Sequence, residues 1–158
     1  MKIVQHVPDD GVLALRHKLS QLDDAYWRDR SRHKPNMGLN ADVGYYFSCA
    51  RESMPHAIRV DIDRVAPRFE PYELEGWVVN KTPVGGGMPP HIDSEGYFGI
   101  GILCLQSHSG SFEWYNDLNQ LEKITDKAGQ LILFDDIQLV HRVPAVLSER
   151  YVVVFLYR

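Results

Sequence analysis

His91, Ile92 and Asp93 form an H-x-D triplet, and a second histidine, His141, follows Asp93 by 48 residues. Two imidazoles and one carboxylate hold a divalent metal from one side and leave other coordination positions open, which is the ligand type of non-heme Fe(II) oxygenase centres. Nine residues beyond His141, Arg150 opens the apolar run Tyr151 to Tyr157. A guanidinium stays protonated and presents a planar fork of donors to a carboxylate. An arginine on the strand after the second histidine therefore gives such a metal centre a carboxylate-binding partner.

Strands are the elements that must bring these groups together. Alternate side chains of a strand share a face, so a strand ending over residues 90–93 projects His91 and Asp93 together. The third ligand has to come from a strand that is a neighbour in space but remote in sequence. Gln130 to Phe134 reads as a buried strand, Asp135 to Gln138 as a loop, and Leu139 to Val143 as a second short strand before Pro144. Alternation from Arg150 sets Val152, Val154 and Leu156 on its own face, beside the ligand pocket, with Tyr151, Val153, Phe155 and Tyr157 opposite. An apolar lining of that kind excludes water and shields a reactive oxidant from quenching. The bland alternative for the run is a central strand with a charged first residue.

Residues from about 76 to 158 resemble the catalytic core of the 2-oxoglutarate/Fe(II)-dependent oxygenases, and within them the prolyl 4-hydroxylase-like branch. A strand and a glycine-rich loop, Gly76 to Asn80 and Gly85-Gly86-Gly87, lead into His91. Leu103 to Gln106 and Gly110 to Trp114 match the segment that follows in that family. The most specific match runs Ala128 to Asp135, then His141-Arg142-Val143-Pro144-Ala145, then Arg150-Tyr151. The resemblance implies a mainly β fold with flanking helices, a double-stranded β-helix or jelly roll. It implies Fe(II) bound by His91, Asp93 and His141, with 2-oxoglutarate as co-substrate and O2 as oxidant. Arg150 would pair with the distal carboxylate of 2-oxoglutarate. Thr82, at the end of the strand before the loop, Cys104, where relatives place a donor that helps the arginine, and Val152 would complete the co-substrate site.

Length and composition fit one domain of 158 residues, with 1–70 supporting a catalytic core over 71–158. Hydrophobic and charged fractions of 44% and 24% are ordinary for a soluble globular chain. No apolar run approaches the ~20 residues that span a bilayer. The first seven residues carry one charge and no long apolar core, unlike a signal peptide. Cys49 and Cys104 make no disulfide framework, which suits a reducing cytoplasm, where iron also stays ferrous. A net charge of −4 supplies no global field for nucleic acid. The sequence sets no oligomeric state.

Ahead of the core, residues 1–7 read as a short strand. Asp9 and Asp10 then favour a helix start, with Val12, Leu13, Leu15, Leu19, Leu22 and Trp27 at helical spacing. Val43 to Ser48 reads as a strand; over 51–69, Ile58, Val60, Ile62 and Val65 fit either a strand or a helix, with a helix ending near Pro67 preferred. Turns are expected at 83–90, 107–111, 115–120 and 126–129. The basic cluster Arg28, Arg30, Arg32, His33 and Lys34 is either a solvated loop or, over 28–42, a lid that closes on substrate. The glycines at 85–87 are a plain loop or a hinge at the rim, stiffened by Pro89 and Pro90. Tyr97 and Phe98 are candidates for the pocket mouth, and Trp77 for the pocket or the core. The other histidines have no ligand-like spacing.

The expected activity is hydroxylation of a C–H bond, first of a prolyl residue in a peptide or protein. Competing substrates are a free amino acid or small metabolite, or alkylated nucleic acid undergoing oxidative demethylation. A different class stays open: a cupin-type metal-binding jelly roll, which needs no Arg150.

Overall fold

The computed structural model describes residues 1–31, 44–93 and 96–158. In chain order its elements are β1 (Lys2–Gln5), α1 (Asp9–Ser20), β2 (Arg28–Asp29), β3 (Phe47–Ala50), α2 (His56–Val65), β4 (Leu74–Thr82), β5 (Met88–His91), β6 (Gly99–Cys104), β7 (Ser111–Tyr115), β8 (Leu121–Thr125), β9 (Gln130–Phe134), β10 (His141–Val143) and β11 (Arg150–Tyr157). The strands form a seven-stranded sheet in the order β1-β9-β6-β11-β4-β3-β2 and a four-stranded sheet in the order β5-β10-β7-β8, with antiparallel pairings throughout. This is the mainly β architecture with flanking helices that a jelly roll requires.

Both helices begin just after a proline, whose missing N–H costs nothing at a helix start. Helix α1 carries Asp9 and Asp10 in its first turn and His17 and Lys18 in its last, each favourable to the helix dipole. Its buried residues are Val12, Leu15 and Leu19; those of α2 are Ile58 and Ile62. These stripes join Val79, Tyr151, Val153, Phe155 and Tyr157 in one core on the outer face of the large sheet. A second core, with Ile100, Ile102, Ile132, Phe134 and Val152 meeting Phe112 of β7, lies between the sheets. The alternation along β11 thus divides as its sequence predicts, with one face under the helices and the other toward the interior.

Several boundaries differ from the sequence expectation. Helix α1 ends at Ser20, so Leu22 and Trp27 pack from beyond it, while Leu13 is exposed. Asp23 stops any continuation by accepting a hydrogen bond from Ala25 N and capping a short 3-10 turn. Strand β3 begins at Phe47; Val43 and most of the expected lid lie outside the described residues. The loop before the H-x-D triplet closes at Gly87, because Met88-Pro89-Pro90-His91 is strand β5. Prolines are tolerated there since β5 is an edge strand and needs no donor on its open side.

Candidate metal centre and adjoining cavity

Strand β5 pairs with β10 so that His91 lies opposite His141. The strand ends at His91, and Asp93 follows just past it, so a shared strand face is not what aligns the triplet. The sequence-predicted convergence nevertheless holds: the ligand atoms of His91, Asp93 and His141 all lie within 4.8 Å of one another. Asp93 Oδ1 stands 3.6 Å from His141 Nε2 and 4.0 Å from His91 Nε2.

Each imidazole is fixed by the backbone two residues before it. His91 Nδ1 is 2.8 Å from the Pro89 carbonyl and His141 Nδ1 is 2.9 Å from the Leu139 carbonyl. A carbonyl only accepts, so both Nδ1 atoms carry the proton and donate it. In the neutral ring Nε2 then keeps its lone pair, and both Nε2 atoms point toward Asp93. Orientation of a ligating histidine through its other ring nitrogen is the usual arrangement at metal centres. The His141 ring also packs against Phe112 at 5.2 Å and Phe134 at 5.6 Å between ring centres.

Electrostatics bind the metal-free triad together. Burial raises the proton affinity of Asp93, but the close approach of His141 in its protonated form and the charges of both imidazoles outweigh it and hold the carboxyl below its usual range. Burial alone pulls His141 down; contact with Asp93 and the Leu139 carbonyl outweighs that and holds it above the ordinary histidine value. Two neutral nitrogens and one carboxylate, oriented and converging, fit a divalent first-row cation with open positions.

The triad opens on a cavity of about 420 Å³. Val78, Ile100, Ile102, Phe112, Val152, Val154 and Leu156 give it apolar walls, and Arg150 lines it as well. Arg150 is almost wholly buried. Its Nε donates to Asp126 Oδ2 at 2.7 Å and its Nη2 to Asp126 Oδ1 at 3.1 Å. Burial works against its charge, and the Asp126 carboxylate more than restores it.

Other expected site residues land differently. Thr82 is Arg150's cross-strand partner and is buried, but it is not on the cavity wall. Cys104 is buried too, behind the arginine; its thiol donates to Asp126 Oδ1 at 3.5 Å, and burial pushes it up to about 12. It therefore reaches Asp126 and not the cavity. Tyr97 lines the cavity, whereas Phe98 is exposed and borders a small adjoining groove. Trp77 belongs to the outer core and donates through Nε1 to Asp63. Of the basic cluster, Arg30 reaches the cavity, with Tyr46, Ser48 and Asn80 beside it.

Sequence reasoning missed Asp126, Phe112 and this polar wall. Asp126 directly follows β8, in a stretch whose sequence reads as a turn, where aspartate is common for local reasons. Ser48 and Asn80 face each other only because β3 pairs with β4.

The fold is that of the 2-oxoglutarate/Fe(II)-dependent oxygenases, prolyl hydroxylases among them. A prolyl-4-hydroxylase of Pseudomonas putida is similar over 99% of this chain and 91% of its own, with a TM-score of 0.67 and 15% identity. A prolyl hydroxylase from Trichoplax adhaerens, in complex with a hypoxia inducible factor oxygen degradation domain peptide fragment, is similar over 99% and 82%, with a TM-score of 0.69 and 18% identity. HygX from Streptomyces hygroscopicus, with nickel and 2-oxoglutarate bound, is similar over 98% and 81%, with a TM-score of 0.64 and 12% identity. Neither a protein-family model nor a curated protein matches the chain.

Proposed function

We propose that this protein is an Fe(II)- and 2-oxoglutarate-dependent dioxygenase that hydroxylates a C–H bond. The observation that carries the reading is the convergence of His91, Asp93 and His141 on the same cavity that Arg150 lines. Bound Fe(II), with 2-oxoglutarate and O2, supplies oxidation of the C–H bond coupled to decarboxylation of 2-oxoglutarate to succinate and CO2.

The chain's own residues have separable tasks in this reading. His91, Asp93 and His141 hold the metal from one side. Arg150 binds the distal carboxylate of 2-oxoglutarate through the guanidinium hydrogens that Asp126 does not use. Val152 and Val154 wall the co-substrate and keep water from the reacting atoms. Residues 1–70 act as support, through β3 on β4 and β1 on β9, and the chain works as one domain. A reducing, cytoplasmic setting suits the free thiols of Cys49 and Cys104. Among the described residues no helix is long and apolar enough to cross a membrane.

For the substrate, a prolyl residue in a peptide is favoured by the similarity to prolyl hydroxylases, one of them with a peptide bound. A small molecule is the second reading, favoured by similarity to HygX in its form with hygromycin B bound. Succinate formation with Fe(II) over a panel of prolyl peptides, free amino acids, small metabolites and alkylated nucleotides decides between them. Arg150→Ala should raise the 2-oxoglutarate requirement by roughly 10- to 100-fold, since charge-assisted contacts contribute on the order of 1.5–3 kcal/mol. A cupin-type protein without this chemistry would form no succinate and would be indifferent to 2-oxoglutarate.

A further inference from the structure

Asp126 follows strand β8 and is buried with Arg150, Ser109 and Cys104. Its carboxylate accepts from Arg150 Nε at 2.7 Å, Arg150 Nη2 at 3.1 Å, Ser109 Oγ at 2.8 Å and Cys104 Sγ at 3.5 Å. Its backbone is held as well: Asp126 N donates to the Gly110 carbonyl at 3.0 Å, and its carbonyl accepts from His108 N at 3.0 Å. A carboxylate loaded in this way cannot rotate without losing several bonds at once. A guanidinium offers five N–H donors in a rigid plane. Asp126 occupies the edge formed by Nε and one hydrogen of Nη2, and no hydrogen bond from Nη1 is made among the described residues. The edge formed by Nη1 and the second Nη2 hydrogen is not used by Asp126, and Arg150 lines the cavity.

We propose that Asp126 is a positioning residue that clamps Arg150 and so sets the length of dicarboxylic 2-oxo acid that fits between the guanidinium and the His91–Asp93–His141 face. The proposal rests on the assignment of Arg150 to the co-substrate. A free arginine side chain has several torsions and could follow ligands of different length. With its plane fixed by Asp126, and Asp126 fixed by Ser109, it presents its open edge at one distance only. The pair is also neutral as a unit, so the protein discriminates here by geometry more than by net field, and binding groups held tightly in this way give the sharper discrimination.

The test is calorimetric binding of 2-oxoglutarate and of the one-carbon-longer 2-oxoadipate to the Mn(II)-loaded protein. The quantity read is the ratio of the two Kd values. In Asp126→Asn the preference for 2-oxoglutarate should fall by about tenfold, ~1.4 kcal/mol, whatever happens to the absolute affinities. Ser109→Ala, which keeps the ion pair but loosens the carboxylate, should shift the ratio the same way by less. A purely structural ion pair would change the melting temperature and leave the ratio alone. An unchanged ratio in folded Asp126→Asn overturns the proposal; if that variant does not fold, the ratio in Ser109→Ala decides in its place. If the wild-type protein binds neither oxo acid, the co-substrate assignment of Arg150 falls too, which separates that failure from this one.

Discussion

Gly87 connects the glycine-rich loop to the metal centre through a single close approach. A Cβ built there would lie 2.4 Å from the Val143 carbonyl oxygen and 3.2 Å from the carbonyl carbon and oxygen of Pro144. These are backbone atoms, so no side chain can swing aside. Real Cβ contacts essentially never fall below 3.0 Å, so Gly87→Ala must open the seam between β5 and β10 by at least about 0.6 Å. Overpacking of this kind costs about 1–3 kcal/mol. The same seam holds His91 opposite His141. Misplacing a positioned group by about 1 Å can cost on the order of 100-fold, so metal affinity should fall by at least about tenfold. Gly85→Ala is the control. Gly85 has φ +80 but nothing within 4 Å of its Cβ position. A side chain there should cost about 1–2 kcal/mol of left-handed strain and leave metal affinity as it was. Mn(II) titration and thermal unfolding of both variants make the comparison. Wild-type metal affinity in Gly87→Ala, or equal losses in the two variants, would refute the idea that this seam sets the triad.

Two further outcomes follow from the site itself. His91→Ala, Asp93→Ala and His141→Ala should each weaken metal binding by more than the roughly 10- to 100-fold lost with an outer partner of a ligand; a titration giving wild-type affinity for any of them removes that residue from the ligand set. In the metal-free protein, His141 is raised and Asp93 lowered. The His141 contribution is present below the ordinary histidine value and is lost as pH rises through the raised one. The Asp93 contribution is present above the ordinary carboxylate range and is lost as pH falls through the depressed one. The pair should therefore stabilise the metal-free fold most between those two ranges. Metal binding needs His141 deprotonated, so affinity should begin to fall at a higher pH than an isolated histidine would set. Thermal melts without metal and Mn(II) titrations across pH check both; a flat profile contradicts them.

What could be read from the sequence was what strand geometry and residue chemistry fix locally. The H-x-D triplet, the distant His141 and the Arg150 strand are single-element patterns, and the period of two along β11 told its faces apart. The bounds of β9 were legible for the same reason, since the apolar run Leu131 to Phe134 ends in Asp135 and Asp136. Asp126 was illegible because its role depends on a contact with Arg150 across 24 residues and on burial that its turn-like surroundings do not signal. Thr82 and Cys104 were assigned from position alone. The register put Thr82 opposite Arg150, and the pleat turned the Cys104 thiol toward Asp126. The polar wall of Ser48, Asn80 and Arg30 comes from β3, β4 and the residue just after β2, strands that pair in chain order but across long intervening segments, so no local pattern encodes their register.

A crystal structure of the protein with Mn(II) and 2-oxoglutarate tests the central assignment most directly. The expected result is one metal ion bonded to His91 Nε2, Asp93 Oδ1 and His141 Nε2, with 2-oxoglutarate chelating it and its far carboxylate on Arg150 while Asp126 keeps its own two bonds. An ion bound elsewhere, or a co-substrate carboxylate that leaves Arg150 untouched, would contradict it.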